Sequence, residues 1–216
     1  MSSRHAGGPM ILVYDEPYSP YCVKIRKILE YKGLRYRTVY VPYHDKVRLL
    51  KETRQDYVPF LRDGRKGVSW TQAVDYLEKK VPRPTVYPES SRGPVKILEA
   101  WEYDWFEDRI WPFVAAFLQR TFQDPVERWN FAESWDRPYG TFDEIREDPK
   151  AAWVPLDPSF RLLEDSLRAH RYLVADAPTA FDFAIFGDLN AMQYANIPIP
   201  TAYRKLRSWY HRVKAL

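Results

Sequence analysis

A short apolar run, Met10-Ile11-Leu12-Val13-Tyr14, passes through Tyr18-Ser19-Pro20-Tyr21-Cys22 into a stretch whose apolar residues recur at helical spacing. A Val58-Pro59 pair follows about one small domain-half later and leads into Phe60-Leu61. Together these features predict a βαβ…ββα unit whose first turn presents one side chain at a helix N-terminus. That side chain is Ser19. A helix N-terminus offers unpaired N–H groups and the positive end of the macrodipole, so the position favours an anion.

The rest of the N-terminal part alternates between elements. The first helix is predicted over 20–31, with Cys22, Ile25, Ile28 and Leu29 on one stripe and Gly33 as its stop. A second strand is expected over 36–41, then a polar helix or loop over 44–53. Runs over 57–62 and 66–68 flank the Asp63-Gly64 turn, a hairpin signal. Ser69-Trp70-Thr71-Gln72 reads as a capping box that opens a helix to about Lys80. Residues 82–93 are rich in Pro, Ser and Gly and are read as a linker between a domain over 10–81 and a helical domain over 94–216. Within the latter, Leu98, Trp101 and Trp105 share a helical stripe over 94–119, which Pro112 is expected to bend or break. Residues 123–158 read as helix fragments joined by irregular loops, and helices are expected over 158–169, 179–194 and 201–213. The fold class is thus α/β followed by all-α.

Charge and cysteine count narrow the function classes. The net charge of +4 is mild and its basic and acidic residues interleave, which argues against nucleic-acid binding. One cysteine excludes an internal disulfide and a Cys-based zinc site, and the four histidines are scattered, so no metal is expected. Residues 1–8 are polar and do not read as a signal peptide, and no run approaches the roughly 20 apolar residues of a membrane span. A cytoplasmic protein that does not bind membranes is the expectation.

Ser19-Pro20-Tyr21-Cys22-Val23-Lys24-Ile25-Arg26, Val58-Pro59-Phe60-Leu61 and Ala73-Val74-Asp75-Tyr76-Leu77-Glu78 resemble the thioredoxin-like domain of cytosolic glutathione transferases. In the second half, the stretch from Ala177 to Gly187 is similar to a marker of that family's helical domain. Thr179 would be its N-cap, with Asp182 at the third helical position as an acidic form of the capping box. Arg207-Ser208-Trp209-Tyr210-His211-Arg212-Val213 is similar to the closing helix.

The resemblance implies a serine-type member that binds glutathione as co-substrate and attacks a small hydrophobic electrophile. Ser19 would hydrogen-bond the glutathione sulfur and help hold it as thiolate, the nucleophilic form. Ser19 also fits an ordinary N-cap, with Pro20 at the first helical position, and the two roles are compatible. Pro59 would follow a cis peptide that frees the Val58 backbone to pair with the cysteinyl backbone. The γ-glutamyl end would be received by Ser69 and the N–H groups of Trp70 and Thr71. Relatives usually carry an acid there, whereas this chain has Val68-Ser69 or, one residue on, Ser69-Trp70. That departure leaves a second reading, a binding protein of the same fold without catalysis. A third, thiol transfer through Cys22, competes with a structural role for Cys22 on its apolar stripe. Trp101, Trp105, Phe106, Trp111 and Phe113 are candidates for an apolar pocket, with Trp105, Phe106 and Phe113 foremost. His44, Lys46 and Lys51 are candidates for the glycyl carboxylate. Trp129, Trp135, Tyr139 and Trp153 suggest a lid or a partner surface. A homodimer is implied, with helix 69–80 against the partner's helix 94–119.

Overall fold

The computed structural model describes residues 10–135 and 141–216. The expectations for residues 1–8 and for Tyr139 lie outside the described residues. The first half begins with β1 (Ile11–Asp15), α1 (Pro20–Tyr31), β2 (Tyr36–Tyr40) and α2 (Val47–Thr53), and continues with β3 (Phe60–Asp63), β4 (Lys66–Ser69) and α3 (Trp70–Lys80). The sheet order is β2-β1-β3-β4. β1 runs parallel to β2 and antiparallel to β3, with Val13 opposite Thr38 and Leu61, and β3 pairs antiparallel with β4. Gly64 opens the β3–β4 turn at φ 60°, the left-handed backbone that a tight hairpin needs and that glycine adopts without strain.

Among the described residues beyond 91, the regular elements are helices. The chain forms α4 (Arg92–Trp101), a π-helical turn (Glu102–Phe106), α5 (Glu107–Leu118), α6 (Pro125–Trp135) and α7 (Phe142–Glu147). α8 (Pro149–Trp153), α9 (Asp157–Ser166), α10 (Ala180–Tyr194) and α11 (Arg204–Lys214) follow. No helix among the described residues is long and apolar enough to cross a membrane.

α1 lies between the sheet and α10, and its apolar stripe is buried: Cys22, Ile25, Ile28 and Leu29 are all inaccessible. Gly187 on α10 allows the close approach, because a Cβ there would meet the Pro20 carbonyl oxygen at 2.4 Å. The predicted linker is packed into the same core. Lys32 at the end of α1 donates to the carbonyls of Val81 (2.7 Å) and Pro84 (2.8 Å) and pairs with Glu78. Val86 is fully buried, and its carbonyl accepts from the Ala180 N–H (2.9 Å) at the head of α10.

Three local expectations need correction. The Ser69 hydroxyl makes no cap to the backbone of α3. It pairs with the Thr71 hydroxyl (3.1 Å), so the capping box is not formed. Helix α4 starts at Arg92, two residues before the predicted start. Pro112 does not break α5, because Asp108, whose carbonyl loses its helical partner to the ring, is exposed to water. The departure from α geometry comes earlier, where the Glu107 N–H bonds the Glu102 carbonyl five residues back.

Candidate active site

The N-terminus of α1 opens into a cavity of about 470 Å³. Ser19 and Tyr21 reach it from α1, Val58 from the loop before β3, Glu107 and Trp111 from α5, and Ser134 and Trp135 from α6. Ser19 has the extended backbone of an N-cap (φ −65°, ψ 124°), and its carbonyl accepts from the Val23 N–H at 3.0 Å. Its hydroxyl makes no bond to the helix backbone and instead bonds the Cys22 sulfur. Capping by the hydroxyl, the plainer expectation for this residue, is therefore not seen.

Cys22 is fully buried, and its sulfur accepts from the Glu16 N–H at 3.4 Å. Burial, followed by the nearby Asp15 carboxyl, pushes the thiol well above its ordinary range. A thiol held protonated in the interior is a poor nucleophile, so Cys22 has a packing role.

The Val58–Pro59 peptide is cis, as the resemblance implies. Four of the five predicted glutathione contacts fall in two adjoining cavities, and Ser69 lines neither. Val58 lines the Ser19 cavity, whereas Pro59, Trp70 and Thr71 line a neighbour of about 280 Å³. Tyr21 faces both. Trp70 is stacked on Tyr103 (centroids 5.9 Å apart) and tilted against Tyr21 (5.0 Å), which ties the head of α3 to the helical half.

The aromatic wall is not the one predicted. Trp105 lies on Trp101 at 5.6 Å, with the Arg109 guanidinium 3.7 Å from its ring. Phe106 is fully buried, 6.1 Å from Phe160, and Phe113 lines a different cavity with Pro112 and Ile145. Glu107 and Trp111, one helical turn apart, hold the face toward α1, so of the five aromatics only Trp111 reaches Ser19's cavity. Trp135 completes the wall, its indole N–H donating to the Tyr43 hydroxyl at 2.8 Å. Trp129 is exposed, and Trp153 packs on Phe160 at 4.6 Å. Of the predicted cations only Lys46 lines the cavity, where it pairs with Glu16.

Glu107 is the residue that sequence reasoning missed. It accepts a hydrogen bond from the Tyr21 hydroxyl. Burial raises its carboxyl to about 7, with further upward pushes from Glu102 and Asp108 against the lowering by Tyr21 and Lys24. Behind it, fully buried Asp188 on α10 is pushed well above the carboxylate range by burial and by Glu102 and Glu107. Lys24, paired with Glu99 at 2.8 Å, supplies the compensating charge. No group of three or more His, Cys, Asp or Glu side chains among the described residues forms a metal-binding cluster.

Residues 13–85 match the family model "Glutathione S-transferase, N-terminal domain". The overall structure is similar to a glutathione transferase of Phanerochaete chrysosporium, with a TM-score of 0.81 at 19% identity over 97% of this chain and 98% of that one. The fold is that of the glutathione transferases. A glutathione S-transferase of Rhodospirillum rubrum gives a TM-score of 0.78 at 21% identity, covering 96% and 89% of the two chains. One from Ceriporiopsis subvermispora, solved in complex with glutathione, gives 0.78 at 18% identity over 97% and 98%. A comparison with curated proteins gives no match. Val68-Ser69-Trp70 lies within the matched residues.

Proposed function

We propose that this protein binds glutathione, holds its thiol as thiolate at the N-terminus of α1, and directs it at a small hydrophobic electrophile. The observation that carries this reading is Ser19 at the head of α1 in a cavity edged by Val58 and walled by Trp111 and Trp135. The first-turn N–H groups and the macrodipole favour the thiolate, and the Ser19 hydroxyl adds one charge-assisted hydrogen bond. The Val58 backbone pairs with the cysteinyl unit, Ser69 and the N–H groups of Trp70 and Thr71 receive the γ-glutamyl carboxylate, and Lys46 receives the glycyl carboxylate. Trp111 and Trp135 offer flat apolar surface to the electrophile. A single buried cysteine and no need for a disulfide suit a reducing cytoplasm.

Calorimetric titration with glutathione, wild type beside Ser19→Ala, tests this. Binding at or below millimolar is expected, with thiolate absorbance in the wild type that is lost in the variant. Turnover should fall about ten- to a hundredfold, the worth of one hydrogen bond to a charged group. No heat at several millimolar glutathione overturns the reading.

The same proposal includes a homodimer with α3 packed against residues 94–119 of the partner, where exposed Ile97 (72% accessible) on α4 and half-exposed Tyr103 in the π-helical turn provide apolar area. Solution scattering should return twice the 25.7 kDa chain mass, and a monomer removes this part of the proposal.

A further inference from the structure

We propose that Glu107 accepts the proton that the glutathione thiol gives up in the Ser19 cavity, with Tyr21 as the residue that positions it. The inference rests on the glutathione reading above and adds the destination of the proton. Thiolate formation needs an acceptor, and the cavity offers few. Among the described residues no histidine lines it, Cys22 is enclosed behind it, and the Ser19 hydroxyl is a donor to the thiolate, not an acceptor of its proton. Of the three carboxylates among its described lining residues, Glu16 is tied to Lys46 and Asp56 stands in water, where it exchanges protons with solvent. Glu107 is half-buried and enters from the α5 side, held in one orientation by the Tyr21 hydroxyl.

Its surroundings suit an acceptor that works near neutrality. Glu102 in the preceding π-helical turn, Asp108 beside it and Asp188 on α10 disfavour a further negative charge, while Lys24 on α1 limits the effect. A carboxyl that titrates at about 7 exchanges protons readily at that pH. In the step, the S–H bond breaks with its electron pair left on sulfur, and an O–H bond forms on the Glu107 carboxylate. The new thiolate then strengthens the hold on that proton, since two negative charges in one cavity repel. When the sulfur has bonded to the electrophile, the thiolate charge is gone and Glu107 returns its proton to water.

The test compares thiolate formed with protons released. Glutathione is titrated at pH 7 in two buffers of different ionisation heat, and bound thiolate is followed by its ultraviolet absorbance. Glu107, its carboxyl raised toward neutrality, captures part of each proton, so the wild type should release clearly less than one proton per thiolate. Glu107→Gln should bind glutathione, keep its thiolate and release about one proton for each. Glu107→Asp, which keeps the acid, should return the ratio below one. A ratio near one in the wild type, or the same ratio in wild type and Glu107→Gln, overturns the assignment while leaving the glutathione reading intact. A wild-type protein that binds no glutathione overturns both.

Discussion

Asp182→Ala is expected to lower stability by about 3–5 kcal/mol, visible as a fall of roughly 10–15 °C in Tm. The Asp182 carboxylate is fully buried and accepts four hydrogen bonds. Oδ1 accepts from the Leu173 N–H and the Trp209 indole N–H, both at 2.8 Å. Oδ2 accepts from the Thr179 N–H at 2.8 Å and its hydroxyl at 2.7 Å. Alanine leaves these donors buried without an acceptor, which costs more than the lost bonds themselves. Asp182→Asn does not fully rescue the site, because its amide NH₂ faces either the Leu173 and Trp209 N–H donors or the Thr179 N–H. Thermal unfolding of both variants checks the argument, and a Tm within two degrees of wild type for Asp182→Asn would refute it.

Gly187→Ala should cost about 2–4 kcal/mol, through overpacking instead of lost bonding. Its Cβ would stand 2.4 Å from the Pro20 oxygen, 3.0 Å from the carbonyl carbon and 3.1 Å from the Cα. All three are backbone atoms, so no side chain can swing aside. α1 cannot retreat as a whole, because its apolar residues are packed into one core with Ile11, Val13 and Leu61 of the sheet. The strain falls on the turn that carries Ser19, so glutathione affinity should drop along with Tm. A variant with wild-type Tm and wild-type affinity would show that the helices separate freely.

The sequence read well where one local rule governed. The bounds of α1 follow from Pro20 at its start, the Cys22-Ile25-Leu29 stripe and Gly33 after its end, all local signals. The Thr179–Asp182 start of α10 was legible for the same reason, although the Leu173 and Trp209 donors that complete it come from distant segments. The candidate site was legible on the α1 side and opaque on the α5 side. Trp105, Phe106 and Phe113 looked alike as a stripe, and only packing against α1 and α10 selects Trp111 instead. Glu107 gave no signal, since Glu102, Asp104, Glu107 and Asp108 read as an ordinary solvated face. Two of the four are buried or partly buried once α1 and α10 close over them. The Ser69 capping box failed because Thr71 competes for the same hydroxyl, a contest that sequence spacing does not decide.

The contact between Gly187 and Pro20 also bears on how such a protein diversifies. It sets the charge-handling turn into a floor fixed by the sheet on one side and α10 on the other. The walls are supplied differently: Trp111, Ser134 and Trp135 project from α5 and α6, which do not form that clamp. Changes to these walls reshape the space above Ser19 without disturbing the packing that aims the helix. A lineage can therefore alter which molecules enter while the turn that meets the sulfur stays as it was.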